Sequence, residues 1–188
     1  CAMLGTANTM CCLAEVMGIS LPGSATIPAV YSRRQGIAFE SGKAVMNLLK
    51  KDICIKDIIT KDAILNAIKV NSAIGGSIAY EADVDLYIFE FGKVSMSVPH
   101  MVPMIPAGQY TLLDFYEAGG IPVMMKELAT ILDLNGITCT GCTSKENIEK
   151  FQNKNPDVIR SFKNPVHSRG GIAVLKGNVA PDGAVTKP

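Results

Sequence analysis

The fold of this chain is decided by its opening stretch, Cys1-Ala-Met-Leu-Gly-Thr-Ala-Asn-Thr-Met-Cys-Cys-Leu-Ala-Glu-Val-Met-Gly-Ile-Ser-Leu-Pro-Gly-Ser24. Leu13, Val16 and Met17 lie three and four positions apart, a spacing that predicts a helix with one buried face. Gly18 is expected to end this helix, because glycine tolerates the backbone of a helix C-terminus. The chain therefore begins with an apolar helix on which later elements can pack.

Cys1 lies just before this helix, and Thr6 and Asn8 can cap the helix start with their side-chain oxygens. The positive end of a helix dipole favours a thiolate, the form of cysteine that binds a metal or an iron–sulfur cluster. On chemistry alone, a cysteine in this place is more often a small buried apolar residue than a ligand.

The composition describes a globular chain: 188 residues, 48% hydrophobic, 19% charged and a net charge of +1. This balance favours one core of ordinary size and gives no electrostatic reason to expect nucleic acid or an anionic membrane as partner. No apolar run has the length of a membrane span. The spacing of the six cysteines does not suggest a disulfide framework, so reduced thiols in a cytoplasmic compartment are expected. The start at Cys1, without a methionine, suggests a piece of a longer protein.

Helices are expected over much of the chain. The second is predicted from about 27 to 51, with a buried stripe made of Val30, Ile37, Val45, Leu48 and Leu49. Thr60 is a predicted N-cap for a third helix, which Gly75-Gly76 should end. Residues 85–91 fit a strand or a helix equally well.

The second half of the chain contains shorter elements. Helices are expected over 112–118 and from Ile121-Pro122 onward, the latter with an apolar face of Met124, Met125, Leu128, Ile131 and Leu132. Thr143 and Glu146 form a capping box, which predicts a helix to about Phe151. From Ile172 two short strands are expected, 172–175 and 184–186, joined by a turn at Pro181-Asp182-Gly183.

Several polar residues could take part in catalysis or metal binding, but each has a simpler structural interpretation. Cys139 and Cys142 form a CxxC that could be a redox pair or half of a zinc site, yet nothing completes a zinc set and a plain turn is favoured. His100 and His167 are expected to be hydrogen-bonded loop histidines. Gly75-Gly76-Ser77 lacks the pattern of a phosphate loop, and Asp83 and Asp85 are expected to be solvated.

The opening block, with Leu21-Pro-Gly-Ser-Ala-Thr-Ile-Pro28 after it, is similar to the dihydroxy-acid and sugar-acid (6-phosphogluconate) dehydratase family, and most resembles its dihydroxy-acid branch. Further similar blocks follow in the family's order: 57–61, 118–128, 164–167 and 170–185. After Gly-Gly-Ser the family usually continues with Thr-Asn and about two helical turns, whereas here Ser77 passes straight to Ile78, so this chain lacks several residues of the family pattern.

This resemblance implies an α/β fold: the mostly helical latter half of the family's N-terminal domain in residues 1–163, then a hinge and the first strands of a C-terminal β-domain in 164–188. It implies a hydro-lyase that converts 2,3-dihydroxy-3-methyl acids to 2-keto acids in branched-chain amino-acid biosynthesis. An iron–sulfur cluster, [2Fe–2S] or [4Fe–4S], would act on the leaving hydroxyl, and Mg²⁺ would hold the substrate. Cys1 is the one cluster ligand that carries over, so both cofactor sites are incomplete in this chain.

The resemblance also implies a small-molecule dihydroxy acid as substrate, a homodimer for the full-length parent, and a cytoplasmic location. No catalytic residue carries over to these 188 positions. Two alternatives stay open at this point. The chain could be an inactive remnant that serves as a helical interaction module, or a piece of a sugar-acid dehydratase.

Overall fold

The computed structural model describes residues 2–76, 88–181 and 183–186. Within them the chain forms helices α1 (Thr6–Val16), α2 (Arg33–Lys50), α3 (Ile55–Ile58), α4 (Lys61–Ile74), α5 (Ile88–Ser97), α6 (Leu112–Ala118), α7 (Gly120–Glu127) and α8 (Ser144–Ile148), and strands β1 (Ala173–Leu175) and β2 (Ala184–Thr186). The regular structure of the described residues is thus mainly helical, with one small antiparallel sheet near the end of the chain. None of the described helices is both long and apolar enough to cross a membrane.

The core is formed where α1 packs on α4 and α7, while α6 and α8 pack against α7. Phe115, Met124 and Leu128 have no exposed surface and lie within one continuous apolar cluster. Met125 and Leu132 are also buried, and Ile131 packs against the same cluster. All five residues predicted for this apolar face are thus buried or packed against the core, but α7 ends at Glu127, so Leu128, Ile131 and Leu132 lie beyond the helix.

Helix α1 confirms the prediction made from the opening stretch. Val16 is buried, and Leu13 and Met17 are half-buried against the core. The chain leaves the helix through Gly18, whose φ of +81° lies in the left-handed region that favours glycine. The predicted cap is wrong: Gly5 is the N-cap, no side chain caps the helix, and Thr6 is already helical.

Helix α2 differs most from its prediction. It begins at Arg33 rather than near residue 27, because the residues before it form turns in which Tyr31 N donates to Pro28 O. The predicted buried stripe is wrong, since no residue of α2 is buried. Ile37 and Leu48 are half-buried, whereas Val30, Val45 and Leu49 are exposed.

Polar side chains attach α2 to the rest of the chain. Arg34 Nη1 donates to Ser24 O near the start of the helix, at 3.1 Å. Near its end, Asn47 Nδ2 donates to Thr140 O and Lys51 Nζ donates to Gly141 O, each at 3.0 Å. This helix is thus held mainly by hydrogen bonds to backbone carbonyls rather than by burial of a whole apolar face.

The predicted helix caps of α4 and α8 are confirmed. Thr60 Oγ1 accepts from Ala63 N at 3.2 Å, and α4 ends at Gly75, whose φ is +62°. Thr143 and Glu146 form the expected reciprocal pair, although α8 ends at Ile148. Strand and helix were both open for residues 85–91; of these, 88–91 belong to α5, and 85–87 lie outside the described residues.

The two strands pair as predicted. Ala173 lies opposite Thr186 and Leu175 opposite Ala184, in antiparallel register. The segment before β1 is fixed to the helices, because Gly171 N donates to Ser72 O at 2.8 Å and Ser95 Oγ donates to Ile172 O at 2.6 Å. The hairpin therefore continues directly from the surface where α4 and α5 pack together.

Leu128→Ala tests the position of the core. Leu128 is fully buried, so removing its side chain should lower the free energy of unfolding by about 2–5 kcal/mol. Leu175→Ala is the matched control: Leu175 is 54% exposed, and its truncation should cost no more than about 0.5 kcal/mol. Urea unfolding followed by circular dichroism measures both, and equal losses would contradict the core described above.

Candidate functional site

Cys1, the predicted cluster ligand, lies outside the described residues, but the segment that follows it is well fixed. Leu4 N donates to Ile105 O at 2.9 Å, and Leu112 N donates to Ala2 O at 2.8 Å. The Leu4 side chain is buried in the core. Residues 2–4, which follow Cys1 in sequence, therefore run along a defined path toward the positive end of an 11-residue helix.

The first turn of α1 meets the end of α4 at Gly76. A Cβ placed on Gly76 would collide with Asn71 Oδ1 and come within 2.6 Å of Thr9 Cγ2. Thr9 is fully buried, and its Oγ1 donates to Gly5 O at 2.9 Å. The structure thus brings the predicted Gly75-Gly76 pair against the helix that follows Cys1. Spacing alone did not predict this approach.

Asn71 is buried at this junction, and its Oδ1 accepts no hydrogen bond from any residue that the structure describes. An unpaired buried acceptor costs about 1–3 kcal/mol, so native proteins usually supply such an atom with a donor. The junction between α1 and α4 therefore contains an acceptor available to water or to a hydroxyl group.

His100 and His167, each expected to be a hydrogen-bonded loop histidine, lie together. The ring centroids are 5.7 Å apart and the rings are nearly parallel. The backbones pair as well, since His100 N donates to His167 O at 2.9 Å and Val166 N donates to His100 O at 2.8 Å. His100 is buried beside Gly75 and Gly171. The extended backbone that proline imposes near both histidines was the only sequence signal for this pairing.

The described cysteines do not form a metal site. Burial raises the pKa of the Cys12 thiol far above its usual range and that of Cys139 to about 11, so both are protonated thiols at neutral pH. Cys11, Cys54 and Cys142 are exposed, and none of these five is in a disulfide. Nowhere in the described part of the chain do three His, Cys, Asp or Glu side chains converge as metal ligands would.

The CxxC is a turn, as favoured from the sequence. Thr138 N donates to Cys142 O at 2.9 Å, and Gly141 has a φ of +74°. Cys139 N donates to Gly18 O at 2.7 Å, which joins the turn to the end of α1. The remaining candidates, Ser77 and the Asp83–Asp85 pair, lie outside the described residues.

Glu15 is a buried carboxyl group that the sequence analysis missed. Its two oxygens accept from Gly23 N and Ala25 N, each at 2.7 Å, and so hold the turn after α1. Burial raises the pKa of Glu15 to about 7, and the bonds from the backbone N–H groups oppose that rise only in part. The only available signal was a charged residue on the otherwise apolar side of a predicted helix.

Gly76→Ala tests the junction between α1 and α4. The added methyl group has no room between Asn71 and Thr9, so we expect a loss of about 1–3 kcal/mol in the free energy of unfolding. Gly136→Ala is the control, because a Cβ on Gly136 meets nothing within 4 Å. Equal stability of the two variants in chemical denaturation would show that the junction is not closely packed.

Glu15→Gln tests the buried carboxyl group. The folded-state pKa of about 7 exceeds the ordinary 4.5, so the folded chain binds this proton more tightly than the unfolded chain. The stability that this proton gives is complete below about pH 4.5 and is lost as the pH rises through 7. Over that range the wild type should lose on the order of 3 kcal/mol relative to Glu15→Gln.

The amide of Glu15→Gln offers one acceptor oxygen, so this variant should be less stable than the wild type at pH 5, but its own stability should change less from pH 5 to 8. Urea titrations at four pH values measure both trends. Parallel pH profiles would show that Glu15 does not titrate in this range.

Comparison with known proteins shows the family to which the chain belongs. A family model described as dihydroxy-acid/6-phosphogluconate dehydratase N-terminal matches residues 1–147, and the corresponding C-terminal model matches residues 157–188. Three similar relatives, each named dihydroxy-acid dehydratase, are 46% identical (Clostridium novyi), 45% identical (Halothermothrix orenii) and 47% identical (Methanosphaera stadtmanae).

All 188 residues are covered in each comparison, whereas the chain spans 36% of each relative's length. The alignment with the Clostridium novyi protein runs over 198 positions, so that relative has about ten positions without a counterpart here. The chain belongs to the dihydroxy-acid/6-phosphogluconate dehydratase family.

Proposed function

We propose that the protein carrying this chain is a hydro-lyase that removes water from a 2,3-dihydroxy-3-methyl carboxylic acid and yields a 2-keto acid, as in branched-chain amino-acid biosynthesis. In this reaction the C3 hydroxyl leaves with a proton from C2, and the enol that forms rearranges to the ketone. The main support for the proposal is the similarity to proteins named dihydroxy-acid dehydratase. They are 43–47% identical to this chain in alignments that cover all of it.

The cofactors of the proposal are an iron–sulfur cluster and Mg²⁺, with Cys1 as one thiolate ligand of the cluster. Its support is that Cys1 precedes α1 in sequence and that the residues just after it, Ala2 and Leu4, are held by backbone hydrogen bonds to Leu112 and Ile105. The described residues do not complete a site for either group, since their cysteines are buried thiols or scattered on the surface. Further ligands would have to come from outside these residues.

The architecture proposed for the parent places residues 1–163 in the cluster-binding domain and starts a C-terminal β-domain at residue 164. A homodimer and a cytoplasmic location belong to the same proposal. A sugar acid is the alternative substrate, because the matching family model also includes 6-phosphogluconate dehydratases.

A chimaera tests this function. The matching stretch of the Clostridium novyi dehydratase is replaced by these 188 residues, and the product is assayed anaerobically, after iron and sulfide reconstitution with Mg²⁺, for 2-keto acid formed from 2,3-dihydroxy-3-methylbutanoate. We expect activity that Cys1→Ser lowers by more than about 100-fold together with the iron retained per chain, because a hydroxyl is a poor ligand for an iron–sulfur cluster.

Cys11→Ser is the matched control, since Cys11 is exposed and ten residues away in sequence; it should leave both readouts unchanged. A parallel assay with gluconate separates the two substrate classes. A folded chimaera that retains iron but forms no keto acid from the dihydroxy acid would refute the reaction. Unchanged iron content in Cys1→Ser would refute the role of Cys1 as a cluster ligand.

A further inference from the structure

A narrow cleft lies where the end of α1 comes together with α7 and α8. Pro122, Met125 and Ile148 form part of its wall. Five polar residues also line it: Glu15, Ser20, Thr138, Ser144 and Asn147. The free space is about 20 Å³. A water molecule needs about 10–15 Å³ and two to four polar partners, and this space offers both. We call it the Glu15 cleft.

Glu15 is the charged residue among those that line the cleft, and it is 6% exposed. Its oxygens accept from Gly23 N and Ala25 N, and the backbone N–H of Ser24 also stabilises the charge. A carboxylate has about four acceptor positions, so at least one is left over. Because a buried charge is costly unless it is fully hydrogen-bonded, the ionised form of Glu15 requires a further donor.

Two of the polar residues in the cleft already bond elsewhere. Asn147 Nδ2 donates to Thr138 Oγ1 at 2.7 Å, and Thr138 Oγ1 donates to Cys142 O at 2.9 Å. The hydroxyl groups of Ser20 and Ser144, by contrast, have no hydrogen-bond partner among the described residues. A ligand that both donates and accepts hydrogen bonds therefore suits this space.

We propose that the Glu15 cleft binds one ordered water molecule, which donates a hydrogen bond to the Glu15 carboxylate and bonds to the hydroxyl groups of Ser20 and Ser144. The water joins the end of α1 to the turn that follows it and to the first residue of α8. Such a water is part of the structure, because it satisfies buried polar groups. The proposal does not depend on the proposed reaction.

The surroundings favour water over a metal cation. Hard cations such as Ca²⁺ and Mg²⁺ take about six or more oxygen ligands. Glu15 is the single carboxylate among the residues that line the cleft, and backbone N–H groups already occupy both of its oxygens. The oxygens of Thr138 and Asn147 are engaged in the neighbouring turn. A small neutral ligand therefore fits this set of groups best.

The groups that face Glu15 make its titration a sensitive readout. Cys12 on α1 and Cys139 on the neighbouring turn are thiols protonated at neutral pH. From α7 and α8, apolar or uncharged side chains line the cleft. The pKa of about 7 thus reflects burial, opposed in part by the backbone N–H groups. Since a donated hydrogen bond favours the ionised form, loss of the water should raise this pKa further.

A crystal structure of the full 188-residue chain at pH 8 tests the site directly. At about 1.5 Å resolution, we expect one water about 2.6–3.2 Å from a Glu15 carboxylate oxygen and from the hydroxyl oxygen of Ser20 or Ser144. A dry cleft, a cleft closed by a side chain, or a metal ion in this place would overturn the proposal. This measurement uses the wild type, so it does not depend on whether any variant folds.

Ser144→Val tests the same site in solution. Two methyl groups then occupy the cleft, so the water should leave and the pKa of Glu15, followed by carbon-13 NMR of its carboxyl group, should rise by about 1 or more. Ser144→Ala is the matched control, because it leaves the cleft open; there the pKa should change by less than about 0.3. Circular dichroism checks that both variants fold. The same pKa in the two folded variants would overturn the proposal.

Discussion

The tight fit of Gly76 between Asn71 and Thr9 is the constraint on which the described fold depends. It brings the first turn of α1 against the end of α4, and α4 in turn carries α5 and the segment that leads into the hairpin. The same end of α4 packs against His100, whose backbone pairs with that of His167. Residues that are distant in sequence therefore meet around two glycines, and a side chain larger than hydrogen at Gly76 would separate them.

Local signals predicted the elements whose formation depends on neighbouring residues. The spacing of Leu13 and Val16 located α1, while Thr60 and Thr143 located the starts of α4 and α8. Short β-branched runs on either side of a Pro-Asp-Gly turn located the hairpin. In each case the information lies within about ten residues, where helix capping and hydrophobic periodicity act.

The candidate site was predictable only in part, because its contacts join distant parts of the chain. The role expected of Cys1 came from resemblance to a family, whereas the approach of Gly76 to Thr9 spans 67 residues. The stacking of His100 on His167 spans as many, and no local pattern encodes it. The buried Glu15 was missed because a single acidic residue in an apolar helix usually faces water. The buried stripe predicted for helix α2 was wrong because this helix has apolar residues on two sides, and periodicity cannot tell which side faces the core.

The attachment of α2 has a consequence for motion. Asn47 and Lys51 bond to the backbone carbonyls of one turn, Arg34 bonds to another, and little apolar area is buried between these points. A helix held in this way opens at a lower free energy than one rooted in the core, as a cooperative unit of its own. Its amide protons should therefore exchange with solvent through openings that leave α1, α4 and α7 closed.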